Sequence, residues 1–378
     1  MPGRPTKDRS SERGFALAAT VFALVLIGAL IAGVFFAARQ SLRLGENVQS
    51  AQRAFDAAEA GLHTALADWD PAVYDALAPG RSAAFAGRLG GATGSYEGVV
   101  LRLNRDLFLI RSVGRDAAGQ AQRAAGGLVR LAPVSLDFGA ALTVGGPLVV
   151  GGASRVEGAD RAPAGWDCPA PGPTASGVAV LDAGAVTESG CGGGACLDGD
   201  PPVQVETASR ASAAAAAADS AWLALAAHAA KAYDGDDEVI TPRPVGSAVA
   251  CDSSARDNWG DPAVPASVAG CRLYYPIILA RGHLEISGGT GQGILLVAGD
   301  LQVDGGFTFY GPVLVRGKLS LVNGGGRFLG GVRASAAALQ PSGAGTAEVS
   351  HSDCALTNAL LAGAPATPLA ARWWAQLF

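Results

Sequence analysis

Charged side chains are scarce. Asp, Glu, Lys and Arg make up 16% of the 378 residues, with a net charge of −5 and a pI near 5.4. Without a cationic surplus there is no electrostatic footprint for a nucleic acid, and none is expected as a partner. Histidine occurs four times and methionine once. His63, His228, His283 and His351 fall on a helical stretch, an Ala-rich helix, a strand and a C-terminal loop, where each reads as a surface or packing residue. Glycine-rich pieces such as Gly288–Gly293 lack the Lys-Ser/Thr of a phosphate loop. Asp234–Glu238 (DGDDE) lacks EF-hand spacing. A glycan-cleaving enzyme would need clustered carboxylates with Arg or Lys on adjacent strands. Glu285, Asp300 and Asp304 are the only repeat-region acids near one another, and they sit at turn or solvent positions. We therefore expect no catalytic site, no cofactor and no metal.

What is abundant is glycine, 53 residues, together with many short apolar runs that point to a β-rich, turn-rich fold. Residues 1–14 are polar and carry Arg4, Lys7, Arg9 and Arg13. From Phe15 to Ala38 no residue is charged. As a helix this segment extends about 36 Å, enough to cross a hydrocarbon core. It is too long for the apolar core of an ordinary secretory signal. Basic residues ahead of it predict a single pass with the N-terminus in the cytoplasm. Beyond it, Arg39–Leu66 keeps helical spacing, with Leu44, Val48, Ala51, Phe55, Ala58 and Leu62 on one stripe. The spacing predicts one long transmembrane and stalk helix over 15–66.

Arg13-Gly14-Phe15, followed at once by the apolar run, resembles the junction cut by prepilin peptidase. Phe55-Asp56-Ala57-Ala58-Glu59-Ala60-Gly61-Leu62 resembles the Ala-Ala-Glu-Ala-Gly stretch of the PilX family of pilus-assembly proteins. The resemblance covers roughly residues 10–65. It implies a leader over 1–14, cleavage after Gly14, and methylation of Phe15 as the first mature residue. The implied partners are prepilin peptidase, membrane lipid, and other pilins or pseudopilins packed through the N-terminal helix. The implied location is the inner membrane, with the bulk periplasmic or on an extracellular pilus. One position departs from the pattern. Where most pilins carry glutamate at the fifth mature position, this chain has Ala19, which removes one assembly contact.

Residues 95–131 read as a small antiparallel meander within a pilin-like unit over 67–132. Val99, Leu101 and Leu103 alternate, Asn104–Asp106 turn, and strands follow at Leu107–Val113 and Gln122–Leu131. Between Pro276 and Ala334 the sequence repeats. Gly282, Gly299 and Gly317 close successive apolar runs about 17–18 residues apart. Such a period predicts a β-helix, or solenoid, in which stacking buries faces that no single unit can bury. The expected inward ladder is Ile278, Leu284, Ile286, Leu295, Val297, Leu301, Val303, Val313, Val315, Leu319 and Leu321. An antiparallel sandwich with similar turn spacing is the rival. Residues 133–159 echo the repeat and read as a first solenoid segment. This leaves 160–275 as a cysteine-bearing insertion and 276–378 as rungs and a C-terminal cap.

The insertion contains an Ala-rich helix over 205–233, with Trp222, Leu223, Leu225 and Ala226 as its sticky face. It also holds Cys168, Cys191, Cys196, Cys251 and Cys271; Cys354 lies near the C-terminus. An even count beyond a membrane segment suits disulfides. A zinc knuckle at Cys191 and Cys196 would want a second knuckle or a His pair, and free thiols stay open as well. Proximity suggests Cys191–Cys196 and Cys251–Cys271, but spacing does not fix connectivity. Arg372-Trp373-Trp374-Ala375-Gln376-Leu377-Phe378 is expected to cover the open end of the solenoid, or to dock a partner.

The fold expected is thus α+β: a long helix, a small sheet, then a β-helix with a helical insertion. The expected role is that of a non-enzymatic minor pilin or pseudopilin. The alternatives are a stand-alone membrane-anchored β-helix scaffold or adhesin and, more remotely, a carbohydrate-active β-helix enzyme.

Overall fold

The computed structural model describes residues 12–378 apart from positions 76, 93, 167, 192–194, 363, 371, 372 and 378. Most of the expected leader, with Arg4, Lys7 and Arg9, therefore lies outside the described residues, as does Arg372. Helix α1 (Glu12–Ala67) runs unbroken for 56 residues, about 84 Å at the usual rise. Its sequence is rich in Ala and Leu and free of proline, so nothing interrupts the ladder. Pro71, which lacks an N–H, instead opens the one-turn helix α2 (Pro71–Tyr74).

Four antiparallel strands follow: β1 (Ser82–Arg88), β2 (Gly94–Arg102), β3 (Leu107–Asp116) and β4 (Gln122–Leu131). They pair in sequence order. The meander differs from its expectation in two respects. Ser82–Arg88 is an additional strand, hidden by its run of small residues. In β2 it is Val100 that is buried, whereas Val99, and Leu103 just past the strand's end, are exposed, so the inward face is the opposite one. Because side chains alternate, a one-residue shift of register exchanges the two faces.

The remaining chain builds a seventeen-stranded sheet. Its first strands are β5 (Ala140–Val144), β6 (Leu148–Gly151), β7 (Ser154–Glu157), β8 (Ser176–Val180), β9 (Val186–Ser189), β10 (Leu197–Asp198) and β11 (Val203–Val205). Helix α3 (Ala208–Ala226) intervenes. Then come β12 (Lys231–Tyr233), β13 (Glu238–Ile240), β14 (Ile277–Ala280), β15 (Leu284–Ser287), β16 (Thr290–Gln292), β17 (Ile294–Val297) and β18 (Leu301–Asp304). The long strands β19 (Phe307–Leu321) and β20 (Gly325–Leu339) and the shorter β21 (Thr346–His351) complete it. Helix α4 (Asp353–Ala362) and strands β22 (Ala366–Pro368) and β23 (Trp374–Leu377) end the chain.

The large sheet consists of parallel ladders. One runs β12–β14–β17–β19–β20–β5–β8–β11, so the chain enters the sheet in its middle, at β5. It winds outward to β11, crosses back through α3, re-enters at the far end at β12, and returns until Val332 pairs with Leu142. The seven strand spacings between β11 and β12 amount to about 34 Å. Helix α3, 19 residues and about 28 Å long, nearly spans them. All residues of the expected inward ladder lie in one buried cluster, joined by Phe307, Phe309, Phe328 and Trp259. The closing glycines stack directly. A Cβ on Gly317 would lie 2.5 Å from the Gly299 carbonyl oxygen, and one on Gly299 would lie 2.7 Å from that of Gly282. No side chain fits there.

Several boundaries are corrected. Residues 160–275 do not form one insertion, because β8–β11 and β12–β13 belong to the large sheet. The Ala-rich helix ends at Ala226, and Lys231–Tyr233 is a strand. Trp222 and Leu225 are buried on the helix as expected, but Leu223 is 69% exposed. The repeat also runs on past Ala334, since β20 is 15 residues long and ends at Leu339. The C-terminal segment does not cap the large sheet; β22 and β23 add to β4 of the small one. Segment 241–275 instead packs beside β12 and β13. Lys231 Nζ donates to the Ser253 and Ala255 carbonyls, and Tyr233 Oη donates to that of Arg256.

Candidate functional site

Helix α1 divides into two lengths with different surroundings. From Leu17 onward its apolar part is long and apolar enough to cross a membrane, and the most apolar stretch touches nothing else in the chain. Gly14 and Phe15 lie on the α1 backbone, with side chains outside the described set; Ala19 is exposed. The outer part bears the small sheet. Ala54, Ala57, Ala58, Leu62 and Ala65 are buried at helical spacing against β2–β4. The sheet covers less of the helix than the expected stripe, because Leu44 and Val48 remain 64% and 68% exposed.

The Ala-Ala-Glu-Ala-Gly motif has a packing reason. A Cβ on Gly61 would come within 2.3 Å of Ser112 Oγ and 2.9 Å of the Tyr96 ring. Opposite, a Cβ on Gly114 would meet the Ala54 carbonyl oxygen at 2.1 Å and the Ala58 nitrogen at 2.3 Å. Small residues on both partners let strand and helix backbones touch. Glu59, which the motif places on the other side, faces His63 at 3.8 Å on the helix surface. The C-terminal segment completes this unit, with the Trp374 ring 5.6 Å from Phe55 and the Trp373 ring edge-on to His63.

Beside the sheet, Asp75 carries an unusual load. Its Oδ1 accepts from Trp69 Nε1 at 3.1 Å, and its Oδ2 is buried without a hydrogen bond. Burial pushes its carboxyl up to about 7, a rise that the Trp69 hydrogen bond and the Arg102 charge only partly oppose. Arg102 is spent on backbone, donating to the carbonyls of Asp75 and Leu77 at 2.6 and 2.7 Å.

The six cysteines form three disulfides, Cys168–Cys354, Cys191–Cys196 and Cys251–Cys271. The first joins residues that sequence proximity could not pair. Glu188 lies close to Cys191 and Cys196, the one grouping of metal-ligand types among the described residues, but both sulfurs are committed to each other. Two of the three repeat-region acids are taken up by local hydrogen bonds. Asp300 Oδ1 accepts from the Lys318 amide at 2.8 Å. Asp304 accepts from Asn323 and the Gly324 amide, bonds that hold its carboxyl below the usual range. Both carboxylates thus fasten turns. The acidic turn is likewise absorbed, Asp234 by Arg281, Asp236 by the His283 amide and Glu238 by Arg256. His351 departs from its expected loop position. It ends β21, is buried, and bonds Asp353 Oδ1 through Nε2 at 3.0 Å.

A cavity of about 510 Å³, with no signal in the sequence, opens between the N-terminal half of α3 and the outer face of the parallel sheet. Trp222 closes one end of it.

No family model matches the chain, and no curated protein matches it. Among solved structures, the competence-associated pilin ComZ from Thermus thermophilus is similar across 87% of this chain and 97% of that one. The identity is 14% and the TM-score 0.25, a superposition too loose to establish a shared fold.

Proposed function

We propose that the chain is a minor pilin or pseudopilin of the PilX kind, a non-enzymatic component of a type IV pilus or type II secretion system. One observation carries the reading. A single helix has a bare apolar half, while its outer half is tiled with small residues under an antiparallel sheet. In this reading prepilin peptidase cuts after Gly14, and Phe15 becomes the methylated first residue. The apolar half waits in inner-membrane lipid with its start in the cytoplasm, then packs against other pilins. The parallel sheet is displayed outside as a β-solenoid, a recognition or adhesion surface. Closely similar offsets between paired strands support that architecture, since Ile277 pairs with Ile294, Leu295 with Val313, and Val313 with Val332.

Ala19 favours a second reading, a stand-alone membrane-anchored scaffold or adhesin, because the carboxylate that would meet a neighbouring amine is missing. N-terminal sequencing of the protein from its native membrane tests the first. A start at methylated Phe15, lost on Gly14→Val, is expected; an intact Met1 in the wild type sinks the pilin reading. Recovery in a sheared fibre fraction rather than only in membranes separates pilin from anchored scaffold.

A further inference from the structure

Helix α3 docks on the parallel sheet only at its C-terminal end. Ala221, Trp222 and Leu225 are buried there, against Leu314 and Ile277 among others. Its N-terminal half stands off, and the cavity of about 510 Å³ lies in the gap. Small side chains on the helix, among them Ala211, Ala214 and Ala218, leave the space empty. Leu181 and Leu314 give the sheet side its apolar area. Volume and lining suit a small amphipathic molecule.

Six charged residues line this cavity; four form two ion pairs, and among the described residues Asp137 and Arg333 are in neither. Arg316 Nη2 pairs with Asp219 at 3.0 Å, and the Arg316 Cζ lies 4.5 Å over the Trp222 ring. Arg210 Nε pairs with Glu206 at 3.2 Å. Asp137 sits exposed at the rim. The Arg333 side chain, on β20, reaches the cavity from the sheet and, among the described residues, makes no hydrogen bond or ion pair. It is half-buried, and the loss of water lowers its pKa despite Asp219 and Glu206 nearby. A guanidinium partly stripped of water and presented to an apolar cavity is a receptor for a carboxylate, which its two parallel N–H groups match. The Trp222 face is already taken by Arg316, which argues against a stacked sugar.

The geometry points to a binding site between α3 and the parallel sheet for a small monocarboxylate with an apolar body, its carboxylate on Arg333 and its body against the alanine face. This site is independent of how the N-terminal helix is used.

The test is calorimetry on the full chain in lipid nanodiscs, with empty nanodiscs as the reference for partitioning into lipid. The probes are 4-phenylbutyrate and its neutral amide, 4-phenylbutanamide. Saturable binding is expected, tighter for the carboxylate by about tenfold. Arg333→Gln should bring both probes to the amide's affinity, Arg333→Lys should keep a preference for the carboxylate, and Ala214→Phe should abolish both by filling the space. Absence of saturable binding overturns the proposal. So does a preference that survives Arg333→Gln, or an Arg333→Lys variant that has lost it.

Discussion

Cys354, in the first turn of α4, is bonded to Cys168 across a sequence separation of 186, with 5.7 Å between their Cα atoms. The bond fastens the loop after β7 to the helix that leaves the large sheet. The same helix places Leu356 and Ala359 among the residues covering the sheet's outer face. Cys191–Cys196, by contrast, closes a separation of only 5.

Loop-closure entropy then ranks these two bonds. In the chain-entropy view the long loop stabilises by about 3 kcal/mol more than the short one. Cys168→Ala/Cys354→Ala should lower the urea midpoint far more than Cys191→Ala/Cys196→Ala. Equal shifts would mean that the unfolded chain holds the long loop closed by itself.

The Asp75 carboxyl sets a pH dependence. Its folded pKa, about 7, lies above its ordinary value, so the folded state holds the proton more tightly. This contribution to stability is fully present below about pH 4, is lost as pH rises toward 7, and is constant above. Asp75→Asn keeps an oxygen for the Trp69 N–H and carries no charge. It should stabilise the protein by on the order of 1–3 kcal/mol at pH 8 and hardly at all at pH 4. Denaturant midpoints at the two pH values check this, and a gain only at pH 4 would reverse the assigned sign.

Contact between α1 and β3 depends on Gly114. Alanine there would press a methyl group onto backbone atoms of α1, which cannot rotate away. Gly114→Ala should cost about 2–3 kcal/mol. Gly139, around which a Cβ meets nothing within 4 Å, provides the control, and Gly139→Ala should be close to neutral. Thermal unfolding of both variants decides the matter. Similar losses would show that the helix–sheet distance is adjustable.

Period and residue type made much of this legible. The alternation around Leu284, Leu301 and Leu319 identifies the core faces because every unit repeats it in the same phase, and strict phase survives any detail of the turns. Gly61 and its alanines were readable as a motif, but their partner was not, since Gly114 is 53 positions away and carries no side chain to signal a contact. The strands β8–β13 escaped notice for another reason. They are 2–5 residues long, between loops rich in Gly, Pro and Cys, and too short to show a period of two. The entry of the chain into the middle of the sheet is a long-range fact. Nothing local in Leu142 announces Val332 as its neighbour.

The same limit explains the C-terminal segment, whose aromatic residues suit the end of a sheet without saying which sheet. In the structure the Leu128 amide of β4 donates to the Trp373 carbonyl at 3.1 Å, and β23 pairs with Gly126 and Gly127. Removing residues 370–378 would leave the Ala124–Leu128 part of β4 unpaired on that side, β22 still covering Val129–Leu131, and strip the Trp374 ring from Phe55. Hydrogen exchange at the Leu128 amide should then accelerate by at least about tenfold. The Leu284 amide, bonded to the Asp300 carbonyl in the parallel sheet, should be unchanged. Faster exchange at Leu284 with Leu128 still protected would move the segment to the large sheet, where the sequence alone had suggested it belongs.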